Sequence, residues 1–128
     1  MTQEEKQLLL VDLSARLPYG VKVKITSRES KNRIVHLTED NICHLTSDWW
    51  SECKPYLFPL SSMTEEQKEN LDKAIQEDAK EAIEAIRNND KMFHAPWRAI
   101  DWLNKNHFDY RGLIEKGLAN DSTGLNIY

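Results

Sequence analysis

The densest set of potential metal ligands in the sequence is His36, Cys43, His44 and Cys53. If Glu39-Asp40-Asn41 closes a three-residue hairpin loop, His36 and His44 face each other across two strands, ~5 Å apart at Cβ, and Cys53 arrives from the next segment. No Cys-x-x-Cys or His-x-x-x-His pair anchors such a site, so the favoured reading is two half-exposed sheet histidines and two buried, reduced cysteines. A second cluster is His107-Phe108-Asp109-Tyr110-Arg111. There a His–Asp pair could orient an imidazole as general base, while Arg111 could hold an anion. No serine or cysteine nucleophile is paired with it, and Asp109 has a sufficient task as a helix cap. The four glycines, Gly20, Gly112, Gly117 and Gly124, are scattered and form no phosphate-cradling loop. No catalytic residue, metal or cofactor is therefore assigned; a small hydrolase or metal-dependent enzyme is the more distant alternative.

Non-covalent chemistry is better represented. Adjacent residues of an extended segment point to opposite sides, so Trp49 and Trp50 cannot both face one core. One of them, with Tyr56 and Phe58 nearby, is expected to form the apolar part of a protein-binding surface. Residues 64–91 hold nine acids and five bases and so carry the whole net charge of −4. Glu66, Glu69, Asp72 and Glu77 from that segment form a weaker, electrostatic candidate face for a basic partner. The counter-feature is Lys22, Lys24, Arg28, Lys31 and Arg33, opposed only by Glu29. With a tryptophan available to stack on a base, this run supports the alternative of a nucleic-acid-binding regulator. Lysines at a strand edge also protect against edge-to-edge aggregation, and that reading is preferred.

The elements that must position these groups follow from periodicity. Thr2 and Glu5 form a capping box for a helix over Thr2 to Leu17, with Leu9, Leu13 and Leu17 on one stripe and Pro18 and Gly20 as its stop. Val21, Val23 and Ile25 alternate with Lys22, Lys24 and Thr26, the period of a half-buried strand. Arg33 to Thr38 and Ile42 to Thr46 are the next strands, joined by the hairpin turn. Trp49 to Leu60 is irregular, and Pro55 and Pro59 confine any strand there to an edge or an extended crossing. Thr64 and Gln67 cap a long helix over residues 64–88, whose Ile75, Ala79, Ala82, Ile83 and Ile86 are expected to be buried in one close-packed seam. Pro96 opens another helix that buries Trp97 and Trp102, and Asp109 caps a final short one over Tyr110 to Lys116, stopped by Gly117. The expectation is α+β in one domain, residues 1–128: an N-terminal helix, a small antiparallel sheet of about three strands, a long helix and two shorter C-terminal helices.

Composition agrees with a folded domain. A chain of 128 residues and 15.0 kDa, 40% hydrophobic and 30% charged, can bury a core without staples. The longest apolar run, Leu8 to Val11, is far short of the ~20 residues of a membrane span. Glu4 and Glu5 stand where the basic region of a secretion signal would be. Two cysteines make no disulfide framework. Three stretches, LPYGVKVK (Leu17 to Lys24), KPYLFPLSSMT (Lys54 to Thr64) and WLNKNHFDYRGLIEKGLA (Trp102 to Ala119), resemble a family of small uncharacterised proteins of gut-commensal bacteria and of their phages and mobile elements. The resemblance implies a cytoplasmic protein of phage or mobile-element origin, and it carries no catalytic residues. Together these readings point to a non-enzymatic module that binds another protein.

Overall fold

The computed structural model describes residues 2–27, 33–44, 50–88 and 96–128. Helix α1 spans Gln3–Arg16 and starts where the sequence places it: the Glu5 amide donates to the Thr2 hydroxyl (3.1 Å) and the Thr2 amide to the Glu5 carboxylate (2.9 Å). A single 3-10 turn, Leu17–Tyr19, follows, and Gly20 takes the left-handed φ of 69° that reverses the chain. Strand β1, Lys22–Ser27, then pairs antiparallel with β2, Arg33–His36, and with β3, Trp50–Pro59. Val21, Val23 and Ile25 turn inward and pack with Leu9 and Leu13 of α1, Leu57 of β3, and Leu113 and Leu118, all essentially without solvent contact. That layer of helix on sheet is the hydrophobic core.

Two sequence expectations fail between residues 38 and 59, for identifiable reasons. Ile42, Cys43 and His44 are not in a strand: Glu39–His44 is a short helix, α2, and Leu45 and Thr46 lie outside the described residues. Thr38 caps it, its hydroxyl accepting the Asn41 amide (3.3 Å) while Asn41 Oδ1 accepts the Thr38 amide (3.1 Å). The triplet read as a hairpin turn is therefore the first turn of a helix, with Glu39 and Asp40 at the positive end of its dipole. The third long strand is β3, in the segment read as irregular. Its prolines are tolerated because partners change along it. β1 pairs with it as far as Pro55; the two-residue strands β4, Phe108–Asp109, and β5, Asn120–Asp121, pair parallel with it from Tyr56 to Pro59. Among the described residues the sheet is thus mixed and five-stranded.

At the hand-over one side chain completes the ladder. Val23 faces Pro55 in the register, so Lys22 and Tyr56 would form the next rung. Instead the Tyr128 hydroxyl accepts the Lys22 amide and donates to the Tyr56 carbonyl, both at 2.8 Å. The Tyr128 ring lies on the sheet beside Phe58 and stacks on His107 with centroids 3.7 Å apart. Phe58, Phe108 and Trp102 extend the row of rings.

Helix α3, Glu65–Arg87, has the expected capping box, with the Gln67 amide on the Thr64 hydroxyl (3.2 Å). Its orientation differs from the expectation. The covered stripe is Leu71, Ala74, Asp78, Ala82 and Ala85, and Asp78 is the only buried residue among them. Ile75, Ile83 and Ile86 are 48%, 50% and 78% exposed, and Ala79 is exposed too. Helix α4, Trp97–Lys105, is the main described neighbour of α3. Ala99 and Leu103 of α4 are buried and Trp102 stacks on Phe108, but Trp97 is 55% exposed, contrary to the core position expected for it. The segment from Tyr110 to Lys116 is a series of turns, not a helix, because Gly112 stands in its middle with φ 73°. Asp109 still caps it, accepting the Arg111, Leu113 and Ile114 amides (3.3, 3.0 and 2.9 Å). Among the described residues, no helix is long and apolar enough to cross a membrane.

Candidate functional site

Strand pairing disperses the metal candidates. Residues directly opposite across strands share a face. Cys53 lies opposite Ile25 and points into the core, whereas His36 lies opposite Lys22 on the other face. His44 is in α2 rather than across a hairpin from His36, as is Cys43; the side chains of both lie outside the description. Among the described residues no group of histidine, cysteine and acidic side chains could hold a metal ion. Cys53 is a free thiol whose pKa burial pushes up to about 12, which leaves it protonated and unreactive.

His107 and Asp109 are not paired either. The Asp109 carboxylate is taken up by three backbone amides. His107 has a left-handed φ of 63°, gives its carbonyl to the Phe58 amide (2.8 Å), and keeps a buried Nδ1 without a partner. Burial, and then the charges of Arg16 and Lys22, lower its pKa to about 4. Arg111 has a structural partner: its Nη1 donates to Asp12 (2.7 Å). Asp12 also holds Nε of the fully buried Arg16 (2.9 Å), whose Nη2 donates to the Phe108 carbonyl. This Asp12–Arg16–Arg111 network ties α1 to the loop after β4, and a buried, doubly engaged carboxylate of that kind serves position rather than proton transfer.

The basic run does not form one surface. Arg28 and Lys31 lie outside the described residues. Lys22 and Lys24 project from the outer face, Lys22 with its ammonium on the Ile127 carbonyl, while Arg33 lies opposite Ile25 and belongs to the other face. The aromatic set shows no open surface among its described members. Trp49 and the Trp50 side chain lie outside the description; Tyr56 is buried, and Phe58 is half-buried between Phe108 and Tyr128, so neither offers an open apolar surface. Glu66, Glu69, Asp72 and Glu77 are all exposed, yet at 100° per residue Asp72 and Glu77 stand about 140° apart on α3 and do not share a face.

What remains is the α3–α4 unit. The buried Asp78 carboxylate accepts the Arg98 and Ala99 amides (3.2 and 3.0 Å), capping α4 from outside the helix where Pro96 supplies no side-chain bond. The Arg98 guanidinium bridges Asp78 and Glu81 and lies over the Trp97 ring, 4.4 Å from its centroid. Burial on this one side fixes α3 and leaves its isoleucine stripe facing outward. The periodicity of the sequence marks that stripe, but the stripe faces outward rather than into a close-packed seam. The missed signal is Asp78 itself, an acid between Ala74 and Ala82 that marks the side needing a buried cap partner. No family model, curated protein or solved structure matches the chain.

Proposed function

We propose that the protein is a non-enzymatic, cytoplasmic binding module that recognises another protein through the outward face of α3. The observation that supports this most is that Ile75, Ile83 and Ile86 lie exposed on a helix held to the body by its opposite side. Solvent-exposed isoleucines at helical spacing are a poor use of a 23-residue amphipathic helix unless another surface covers them. This face replaces Trp49, Trp50, Tyr56 and Phe58 as the proposed apolar surface. The phage or mobile-element setting implied by the resemblance belongs to the same proposal.

The test compares immobilised wild-type protein with the Ile83→Glu/Ile86→Glu variant in capture from a lysate of the native cell. A protein retained by the wild type and lost by an equally folded variant is the expected result. Equal capture by both would rule the face out.

A further inference from the structure

Beside the isoleucine stripe runs a second, charged line. Lys73, Lys80 and Arg87 recur every seven residues and are exposed, and none is in an ion pair among the described residues. At 100° per residue, with Asp78 as the inward direction, Ile75, Ile86, Ala79 and Ile83 fall about 60° to 140° around α3, and the three cations about 180° to 220°. The row therefore borders the stripe on the side away from α4. The two lines are also nearly the same length: Ile75 to Ile86 covers ~17 Å of helix axis and Lys73 to Arg87 ~21 Å.

We propose that this face receives an amphipathic helix of a partner protein, its apolar seam on Ile75, Ile83 and Ile86 and its acidic flank along Lys73, Lys80 and Arg87. The inference rests on the protein-binding reading and adds the chemistry of the partner. A helix satisfies both lines at once, because its own seam and flank are displaced by a similar angle and four turns span the row. A second copy of the chain fits less well. Antiparallel self-docking about Lys80 would set Lys73 against Arg87 and Lys80 against itself, and like charges at contact are unfavourable. An anionic lipid surface is also disfavoured, because a plane laid on the basic row meets Glu77 and Glu84 on its far side, whereas a helix seated over the isoleucine stripe reaches only its near side.

The experiment titrates the full chain with two fluorescent helical peptides of about 16 residues. They share a leucine seam and differ in carrying glutamates or lysines on the flank. The acidic peptide is expected to bind about ten-fold or more tightly than the basic one, with the preference shrinking as salt is raised. The Lys73→Glu/Lys80→Glu/Arg87→Glu variant should reverse the preference, and Ile83→Glu should abolish binding of both. Equal binding of the two peptides that is lost in Ile83→Glu would overturn the acidic partner while leaving the apolar face in place. Failure of the acidic peptide to bind would overturn the inference whatever the capture experiment gives. Binding to phosphatidylserine vesicles, or self-association abolished by Ile83→Glu, would overturn it in favour of a membrane or a second copy.

Discussion

Helices α1 and α3 both begin with a threonine capping box and both carry a row of aliphatic residues, yet they end in opposite environments. In α1, Leu9 and Leu13 are sealed against β1 and β3, and even Asp12 and Arg16 are taken inside as a hydrogen-bonded pair. In α3 the isoleucines stay in solvent, and the only buried side chain is a carboxylate that caps a neighbouring helix. The difference lies in what each helix has to pack against. α1 lies over a sheet, which offers a broad apolar layer. α3 has another helix as its main described neighbour, and one helix covers one narrow side of another. A polar group on the inward line and an apolar group on the outward line is the reverse of a core helix, and it is the arrangement on which the proposed binding face rests.

Four expectations break or sharpen this comparison. The largest effect is expected inside α1. Asp12→Ala should cost about 3–5 kcal/mol, because it leaves the buried Arg16 uncompensated and frees Arg111. Urea denaturation measures it, and a near-neutral result would mean that α1 is held by its leucines alone. Next is the joint between α3 and α4. Asp78→Ala should cost about 1–3 kcal/mol by orphaning the Arg98 and Ala99 amides, and Asp78→Asn should cost less because an acceptor oxygen is retained.

A smaller effect concerns pH. The folded-state pKa of His107 is about 4, below its ordinary 6.5, because burial and the nearby Arg16 and Lys22 disfavour the cation. The unfolded chain therefore takes up this proton first as pH falls, so the stabilisation from neutral His107 is complete above about pH 6.5 and is lost progressively down to about pH 4. His107→Asn, which tolerates the left-handed backbone, should remove that component. Melting curves of the two proteins from pH 7 to pH 4 would show it as a stability difference that changes across this window. A difference independent of pH would place the proton elsewhere.

Much of the architecture was legible in the sequence because local signals and tertiary packing agreed. Thr2 and Thr64 mark helix starts by their own hydrogen bonds, and Val21, Val23 and Ile25 alternate as a one-sided strand must. Legibility failed where a local signal had two uses. Thr38-Glu39-Asp40-Asn41 reads equally as a turn and as a capped helix start, and the helix prevailed through the reciprocal bonds of Thr38 and Asn41. Pro55 argued against a strand whose partner changes just there, a long-range property that the local sequence does not encode. On α3 the hydrophobic pattern located the stripe correctly, but periodicity reports that residues share a face, not what that face meets. The Tyr128 hydroxyl bridge between β1 and β3 joins residues far apart in sequence and had no local signal.

The central claim is that the isoleucine stripe of α3 belongs to a surface rather than to the protein's own core, and the Ile83→Ser/Ile86→Ser variant tests it directly. Serine and isoleucine have similar helix propensities, so the urea midpoint reports burial and little else. The account predicts a loss within about 1 kcal/mol, as for exposed positions. A loss of about 4 kcal/mol or more, the size expected when two buried aliphatic side chains are removed, would contradict it.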